Sequence, residues 1–253
     1  MRLAIAGAAG RMGQALIRAA RSAPDCEIVG GTERTPPQAY DIPLSTDPAE
    51  AAKTADIWID FTSPDATIAA LKSLERTPVR AAIIGTTGLD EAQEQAIAAA
   101  ASRLAIVRSG NFSAGVTLLA ALVEEAARRL GPSWDIEILE AHHRRKVDAP
   151  SGTALLLGEA AAKGRNANLN DLRTPARDGL TGARKDGSIG FASLRAGGIV
   201  GEHEVTFASE TEIVRLSHEA LDRAIFADGA LRAARWAFAK PPGLYSMRDV
   251  LGL

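Results

Sequence analysis

Residues 140–154 carry side chains that can transfer protons and bind anions. The stretch runs Glu-Ala-His-His-Arg-Arg-Lys-Val-Asp-Ala-Pro-Ser-Gly-Thr-Ala and holds two of the four histidines of the chain. His142 and Lys146 can each deliver a proton near neutral pH if their surroundings adjust them. The five consecutive residues from His142 to Lys146 are basic or potentially basic, so they favour an anionic ligand.

The end of this stretch predicts a second anion-binding feature. Ser151, Gly152 and Thr153 come directly before an apolar run that indicates the start of a helix. The first backbone N–H groups of a helix have no partner within the helix and can face a bound anion. Cationic side chains and a helix N-terminus therefore converge, which suits a small substrate with more than one negative charge.

Two other interpretations of this stretch stay open from the residues alone. A basic run is commonly a solvated face or a nucleic-acid patch. Glu140, His142, His143 and Asp148 are possible metal ligands, but the adjacent cations oppose a divalent ion and no cysteine is near. We therefore expect no metal site.

Composition limits the class of protein. The 253 residues allow one large or two modest domains, and 46% hydrophobic with 24% charged residues is ordinary for a globular protein. A net charge of −2 argues against a nucleic-acid partner. The single cysteine, Cys26, excludes an internal disulfide and fits a reducing cytoplasm. No signal-peptide pattern and no membrane-spanning apolar run are present, so we expect a cytoplasmic protein without a membrane contact.

The first residues predict dinucleotide binding. A short apolar strand at 2–6 runs into Gly7-Ala-Ala-Gly-Arg-Met-Gly13, a helix follows, and a second strand begins at Cys26. In such a unit the glycines allow a tight turn and close approach to a pyrophosphate, and an acid about 20 residues on binds ribose. Glu33 has that position. Because Ala9 replaces the second glycine of the usual motif, an ordinary strand-to-helix turn is the alternative.

The alternation of strands and helices continues up to residue 113. Further apolar strands are predicted at 57–61, 81–84 and 104–107. In an open parallel sheet, ligands bind outside the carboxyl ends of the strands. Polar turns at such ends are Asp60-Phe61-Thr62, Gly85-Thr86-Thr87 and Ser109-Gly110-Asn111-Phe112.

The pattern changes beyond residue 113. A helical apolar stripe at 116–130 precedes an alternating strand that leads to Glu140, and the polar stretch 163–186 is predicted to be a long loop. Gly197-Gly198 is a hairpin signal. Successive strands without intervening helices predict an α+β domain with an antiparallel or mixed sheet, and a final helix is expected to return to the first domain. These elements are strands at 189–194, 199–207 and 212–217 and a helix at 220–239. We expect structural roles for His203 and His218.

The chain resembles the 4-hydroxy-tetrahydrodipicolinate reductases, also called dihydrodipicolinate reductases, of the diaminopimelate route to lysine. Residues 140–154 match the signature of that family at nearly every position. Weaker matches extend along the chain. They are Gly7 to Gly13 and residues 60–62, 85–88, 111–116, 195–203 and 243–251.

The resemblance implies a fold and an assembly. We expect a Rossmann-like α/β domain with a parallel sheet, formed by residues 1–113 and 220–253, which binds the dinucleotide. Residues 114–219 would form an α+β domain, with a mixed or antiparallel sheet, for substrate binding and oligomerisation. The family is usually tetrameric, so a homotetramer is expected.

The resemblance also implies the site. His142 would be an acid/base residue and Lys146 the proton donor, while His143, Ser151, Gly152 and Thr153 would hold the carboxylates of a small dicarboxylate substrate. The cofactor, NADH or NADPH, would be held by Gly7, Ala8, Ala9, Gly10, Arg11, Met12, Glu33, Arg34, Gly85, Thr86, Thr87, Ser109, Gly110, Asn111 and Phe112. The chain departs from the family pattern at Ala9, which replaces a glycine common in the family, and at Ser109-Gly110, where small residues vary. Its segment after Arg34 is also short.

We therefore predict an NAD(P)H-dependent reductase that converts 4-hydroxy-tetrahydrodipicolinate to tetrahydrodipicolinate. The nicotinamide would deliver a hydride to a cyclic imine, and Lys146 would protonate the resulting enamine with the help of His142. One alternative is another nicotinamide-dependent oxidoreductase that acts on an amino acid. A second is a non-catalytic NAD(P)-sensing protein whose basic loop contacts RNA or a partner.

Overall fold

The computed structural model describes residues 1–37, 39–174 and 176–253. The chain divides into two compact units. The first unit contains Met1–Ala114 and Ala224–Leu253, and the second contains Gly115–Arg223. Of the described residues, no helix is both long and apolar enough to cross a membrane.

The first unit is built on a seven-stranded parallel sheet. Its strands are β1 (Arg2–Ile5), β2 (Glu27–Thr32), β3 (Leu44–Ser45), β4 (Ile57–Asp60), β5 (Ala81–Ile84), β6 (Ala105–Arg108) and β11 (Gly243–Tyr245). They are ordered β11-β6-β5-β4-β1-β2-β3, and each neighbouring pair is parallel. All residues of β4 and β5 are buried, which agrees with strands covered by helices on both faces. The predicted Rossmann-like sheet is confirmed.

Helices cover both faces of this sheet because side chains alternate along each strand. The helices of the unit are α1 (Arg11–Arg21), α2 (Pro48–Ala51), α3 (Pro64–Ser73), α4 (Glu91–Ala100), α8 (Ala224–Phe238) and α9 (Met247–Leu251), with a short 3₁₀ turn at Leu74–Arg76. Leu3 and Ile5 of β1 pack in one cluster with α1 and α8, whereas Ala4 and Trp58 pack in a second cluster with α3 and α4. The predicted return of the chain to the first unit is made by α8, which packs on α1 and β5.

The second unit contains a mixed four-stranded sheet. Its elements are α5 (Ala114–Leu130), β7 (Asp135–His142), α6 (Gly152–Gly164), α7 (Leu169–Leu172), β8 (Ile189–Arg195), β9 (Glu202–Ala208) and β10 (Ile213–Glu219). The order is β10-β9-β7-β8, with β7 and β8 parallel and the other pairs antiparallel. Val123 of α5 and Leu157 of α6 pack with Ile138 and Phe207 on one face of the sheet.

The hairpin predicted at Gly197-Gly198 is wrong. Strands β8 and β9 do not pair with each other, since both pair with β7. The hairpin of this unit lies between β9 and β10, where Ser209 N donates to Glu212 O. Helix α6 connects β7 to β8, and strands joined by such a crossover pair in parallel. The stretch predicted to be a loop at 163–186 contains the end of α6 and the short helix α7, and its Pro175 lies outside the described residues.

Candidate active site

A cavity of about 670 Å³ opens in the first unit at the carboxyl ends of β1, β2 and β4. The predicted cofactor residues on its wall are Gly7, Gly10, Arg11, Met12, Glu33 and Arg34. Asp60, Phe61 and Thr62, which follow β4, form another part of the wall. A cavity at the carboxyl edge of a parallel sheet is the usual position of a dinucleotide.

The glycine turn brings strand β1 and helix α1 into close contact. Gly7 has a φ of +60°, a conformation that residues with side chains rarely adopt. A Cβ on Gly13 would lie 2.3 Å from Gly7 O, so no larger residue fits without movement of the turn. Gly10 is the N-cap of helix α1 and provides no side-chain cap, and the first turn of the helix contains no acidic residue. Its N-terminus therefore suits a phosphate group.

The carboxylate of Glu33 is held beside the glycine turn. Its Oε2 accepts a hydrogen bond from Ala9 N at 3.2 Å, and its Oε1 accepts one from Arg34 N at 3.1 Å. Tyr40 also reaches the turn, since its hydroxyl donates to Ala8 O at 2.9 Å. The alanine that departs from the usual motif thus uses its amide to position the predicted ribose-binding acid.

The two other predicted cofactor segments follow β5 and β6 at the carboxyl edge of the sheet. Residues 85–87 and 109–112 are not among the described residues that form the cavity wall. Gly85 allows the ring of Phe61 to approach, because a Cβ at this position would lie 2.0 Å from that ring. Phe112 is 1% exposed and packs edge-to-face on Phe61 at 5.2 Å between ring centroids.

Asp60 is buried, and its carboxylate connects the loops that follow β4 and β5, a role that the sequence did not predict. Its Oδ1 accepts from Thr62 N at 2.9 Å, from Thr62 Oγ1 at 2.5 Å and from Thr86 Oγ1 at 3.3 Å. Thr86 is itself buried and also contacts Thr67 Oγ1 at 2.8 Å. The side chain of Thr86 therefore joins the loops after β4 and β5, a function that its position at a strand end did not reveal.

In the second unit, the side chains of the signature stretch surround Glu140. The Glu140 side chain is fully buried, and its carboxylate accepts from His142 Nδ1 at 2.6 Å and from Ser151 N at 3.2 Å. Arg195 of β8 binds both carboxylate oxygens, at 2.6 and 2.8 Å. Burial alone would raise the pKa of Glu140, but hydrogen bonds from Arg195, Ser193 and His142 lower it to about 2.

The imidazole of His142 lies between this carboxylate and a second histidine. His142 and His203 pack edge-to-face with 5.1 Å between their ring centroids. Burial lowers the pKa of His203 to about 4, with the nearby His142 as a further cause, so His203 is neutral at physiological pH. Nε2 of His203 lies 3.0 Å from Ser151 Oγ. His203 thus has the buried and hydrogen-bonded position of a structural histidine.

Lys146 is paired with an acidic residue of the same loop. Its Nζ lies 2.8 Å from each carboxylate oxygen of Asp148, and the pKa of Asp148 is lowered mainly by this hydrogen bond. Arg195 Nη2 also donates to Asp148 O at 2.8 Å. Arg195 therefore links Glu140 to the loop that carries Lys146. A signal for Arg195 was present, because it begins one of the segments that resemble the family.

The start of helix α6 forms the remaining part of this site. Ser151 is its N-cap, and Ser151 Oγ accepts from Ala154 N at 3.1 Å. A Cβ on Gly152 would meet no atom within 4 Å, and the first turn contains no acidic residue. His143 Nε2 lies 3.0 Å from Arg223 Nη2. Burial, followed by the charges of Arg223 and Arg145, lowers the pKa of His143.

The structure thus brings His142, Lys146 and the α6 N-terminus into one charged site within the second unit. Glu140, Arg195 and Asp148 are the partners that sequence reasoning did not assign to them. Nowhere in residues 1–37, 39–174 and 176–253 do three or more His, Cys, Asp or Glu side chains form a group able to hold a metal ion. The arrangement can bind a multiply charged anion and can transfer a proton.

Two models of one protein family match the chain. The model described as dihydrodipicolinate reductase, N-terminus, matches residues 1–112, and the model described as dihydrodipicolinate reductase, C-terminus, matches residues 115–251. A 4-hydroxy-tetrahydrodipicolinate reductase of Methylocella silvestris is 52% identical over 266 residues, which cover 100% of this chain and 97% of that protein. The protein of the same name in Caulobacter vibrioides is 51% identical over 253 residues, with coverage of 100% and 97%.

A solved structure has the same fold. The dipicolinate-bound dihydrodipicolinate reductase from Paenisporosarcina sp. TG-14 matches with a TM-score of 0.81 and 24% sequence identity, and the match covers 98% of each chain. The family models together cover both units, and the relative from Methylocella silvestris is aligned over the whole chain. This chain therefore belongs to the dihydrodipicolinate reductase family, as the signature at residues 140–154 predicts.

Proposed function

We propose that this chain reduces 4-hydroxy-tetrahydrodipicolinate to tetrahydrodipicolinate in the diaminopimelate route to lysine, a reaction that consumes NAD(P)H and a proton and releases NAD(P)⁺ and the 4-hydroxyl group as water. Membership of the family makes it an NAD(P)H-dependent oxidoreductase. The observation that carries the proposal is that the buried carboxylate of Glu140 contacts His142 and the N-cap of α6, while Arg195 links Glu140 to the loop that carries Lys146. A cytoplasmic location stays a prediction of the sequence.

The first unit would hold the dinucleotide. The tight packing at Gly13 and the uncapped start of α1 fit a pyrophosphate, while the Glu33 carboxylate fits the hydroxyls of a ribose. When bound, the nicotinamide supplies the hydride for the reduction. The role of the protein there is to bind and orient the cofactor through these backbone and carboxylate groups.

The second unit would hold the dicarboxylate. One carboxylate would bind at the first amides of α6, beside Gly152 and Thr153, with Ser151 as the cap that shapes this N-terminus. His143, with the charge of Arg223 beside it, would contact the other carboxylate. Lys146 carries the proton that the reduced ring requires, and Asp148 holds its ammonium group in place.

A turnover assay tests this function. The purified chain should oxidise NADH when 4-hydroxy-tetrahydrodipicolinate is generated freshly in the cuvette, and dipicolinate should inhibit by competing for the same carboxylate-binding groups. A nucleotide sensor would bind NADH and consume none. An oxidoreductase of another specificity would turn over an amino acid but not this dicarboxylate, and either result would refute the proposal.

The cofactor preference is expected to depend on Arg34. We propose that both NADH and NADPH are used, with NADH at least as effective, because Glu33 on the cavity wall would accept hydrogen bonds from the ribose and Arg34 can pair with a 2′-phosphate. Replacing Arg34 with alanine should raise the KM for NADPH by about 10-fold or more, the value of a charge-assisted hydrogen bond. The KM for NADH should change by less than about twofold.

A matched control separates a local effect from a change in net charge. Arg21 lies on α1 and pairs with Asp41 at 3.3 Å, and it is not part of the cavity wall. Arg21→Ala should leave both cofactor constants unchanged. Equal losses of NADH and NADPH binding in Arg34→Ala would show that Arg34 does not read the 2′-phosphate.

The sheet of the second unit favours assembly into a homotetramer. Leu139, Leu194 and Ile213 are about half exposed, at 48%, 46% and 53%, and β8 and β10 are the edge strands of the sheet. Exposed edges and apolar patches are usually paired or covered. Light scattering at micromolar concentration should give four times the 26.5 kDa mass of the chain.

A charged residue on this face should weaken the assembly. Leu139→Glu is expected to lower the measured mass because it buries an unpaired carboxylate in the interface. Leu180→Glu is the control, since Leu180 lies in an exposed loop and its change should leave the mass unaltered. A wild-type chain that scatters as a monomer would contradict the proposed tetramer.

A further inference from the structure

Glu140 lies at the centre of the hydrogen-bond network in the second unit. Oε2 accepts from His142 Nδ1 at 2.6 Å and from Arg195 Nη1 at 2.8 Å. Oε1 accepts from Arg195 Nη2 at 2.6 Å and from Ser151 N at 3.2 Å. A carboxylate has about four lone-pair positions, and these four donors, with the Ser193 side chain as a further one, satisfy both oxygens. Such complete pairing allows a charged group to stay buried.

The carboxylate determines which nitrogen of His142 can transfer a proton. The pKa of Glu140 is about 2, so the group is ionised at physiological pH and only accepts hydrogen bonds. The hydrogen on the imidazole therefore resides on Nδ1, and Nε2 is the nitrogen that can gain or lose a proton. A Cβ on Gly201 would come within 3.1 Å of Nε2, so a glycine keeps the space beside this atom open.

The same carboxylate determines the position of the anion-binding helix start. Its bond to Ser151 N holds the N-cap of α6, while Ser151 Oγ contacts both Ala154 N and His203. Arg195 binds Glu140 and also Asp148 O, which places the loop that carries Lys146. One buried group thus connects the imidazole, the helix N-terminus and the lysine loop.

We propose that Glu140 is the positioning residue of the active site, holding His142 as the Nδ1–H tautomer in fixed register with the N-terminus of α6. Arg195 keeps Glu140 in place from the neighbouring strand. This inference rests on the proposed function, because it assigns His142 its part in proton transfer. The alternative is that Glu140 only neutralises the charge of Arg195.

The groups that surround His142 come from several elements. Glu140 precedes it on β7, Arg195 faces it from β8, and His203 packs against it from β9. The ion pair of Lys146 with Asp148 lies in the following loop. Since His203 is neutral and Arg195 is paired, Glu140 is the hydrogen-bond partner through which the tautomer of His142 can be altered.

The variant Glu140→Gln preserves the size of the side chain and reverses one hydrogen bond. An amide nitrogen opposite Nδ1 donates to it and favours the Nε2–H tautomer of neutral His142. Nε2 then carries the hydrogen and can no longer accept a proton. We expect kcat to fall by about 10²-fold or more, which is within the range of general acid–base catalysis. The KM for the dicarboxylate should change by less than about threefold, because the carboxylate-binding amides remain.

Nitrogen-15 NMR of the imidazoles reads the tautomer without any turnover. The chain has four histidines, and a His142→Gln spectrum assigns the signal of His142. Followed through a pH titration, neutral His142 should be Nδ1–H in the wild type and Nε2–H in Glu140→Gln. Wild-type protein that shows this tautomer but reduces no substrate would refute the proposed function and leave the positioning role standing.

Glu137→Gln is the matched control on the same strand. Glu137 pairs with Arg177 and Arg184 and lies apart from His142, so this change should alter neither the tautomer nor kcat. If Glu140→Gln does not fold, Glu140→Gln with Arg195→Met removes the unpaired guanidinium and permits the same measurement. An Nε2–H tautomer in the wild type, or a variant at Glu140 that retains both tautomer and kcat, would overturn the proposal.

Discussion

Replacing Lys146 with alanine is expected to lower kcat by about 10²- to 10⁴-fold, the usual contribution of a general acid. In the proposed function Lys146 gives up a proton during the reaction, so its loss should fall on the transition state rather than on substrate binding. The structure supports this role because both oxygens of Asp148 hold its Nζ at 2.8 Å and the side chain is only 20% exposed. Steady-state kinetics with fresh substrate measure the effect, and a fluorescence titration should show unchanged NADH binding.

Three further single variants and one double variant make this expectation specific. Lys163→Ala removes a lysine of the same unit that also pairs with a carboxylate, that of Glu124, and should leave kcat unaltered. Thr153→Val should raise KM more than it lowers kcat, because carboxylate contacts act in the ground state and the transition state alike. His142→Ala should lower kcat, and its combination with Lys146→Ala should be less than additive if both serve one proton transfer.

A different outcome would change the role of the lysine. If Lys146→Ala raised only KM and left kcat intact, Lys146 would be a carboxylate clamp. The proton would then have to come from His142 Nε2 or from water. The comparison with Thr153→Val decides this, since the two variants would then have the same kinetic signature.

Replacing Gly13 with alanine is expected to weaken NADH binding by about 10- to 100-fold, since forcing a methyl group into packed surroundings typically costs about 1–3 kcal/mol. The new Cβ would lie 2.3 Å from Gly7 O and 2.6 Å from Ala8 O, so the glycine turn would have to move. Backbone atoms cannot give way as a flexible side chain does. Isothermal titration calorimetry measures the dissociation constant directly.

The control for Gly13→Ala is the same substitution where space is available. A Cβ on Gly198 would meet nothing within 4 Å, so Gly198→Ala should bind NADH as the wild type does. Circular dichroism should show that both variants are folded. NADH binding that is unchanged in Gly13→Ala would show that the turn does not form the pyrophosphate site.

Several features of this protein were predictable because they depend on neighbouring residues. The strand at 81–84 is a continuous apolar run and the strand at 57–61 is apolar except for Asp60, a pattern typical of a parallel sheet covered on both faces, and β4 and β5 are buried throughout. Asp90 and Gln93, three residues apart, form a capping box at the start of helix α4. The signature at 140–154 predicted the family, which is confirmed.

Pairing between distant segments depends on tertiary contacts. Gly197-Gly198 permits a turn, but β7 lies between β8 and β9 because the α6 crossover places β8 parallel to β7. The signature shows Glu140 and His142 two residues apart on one strand, but it does not show that their side chains meet. Glu140 Oε2 lies 2.6 Å from His142 Nδ1 in a carboxylate that is also paired with Arg195 of the neighbouring strand β8.

The amino-acid sequence alone was sufficient for the fold class, the family and the residue types available for proton transfer, since these follow from local periodicity and from a long contiguous motif. Tertiary contacts determine how those residues are held. Arg195 is 55 positions from Glu140, and His203 is 52 positions from Ser151. Side chains so far apart in the chain meet only when β7, β8 and β9 pair, and their partners then set the charge of Glu140 and the tautomer of His142.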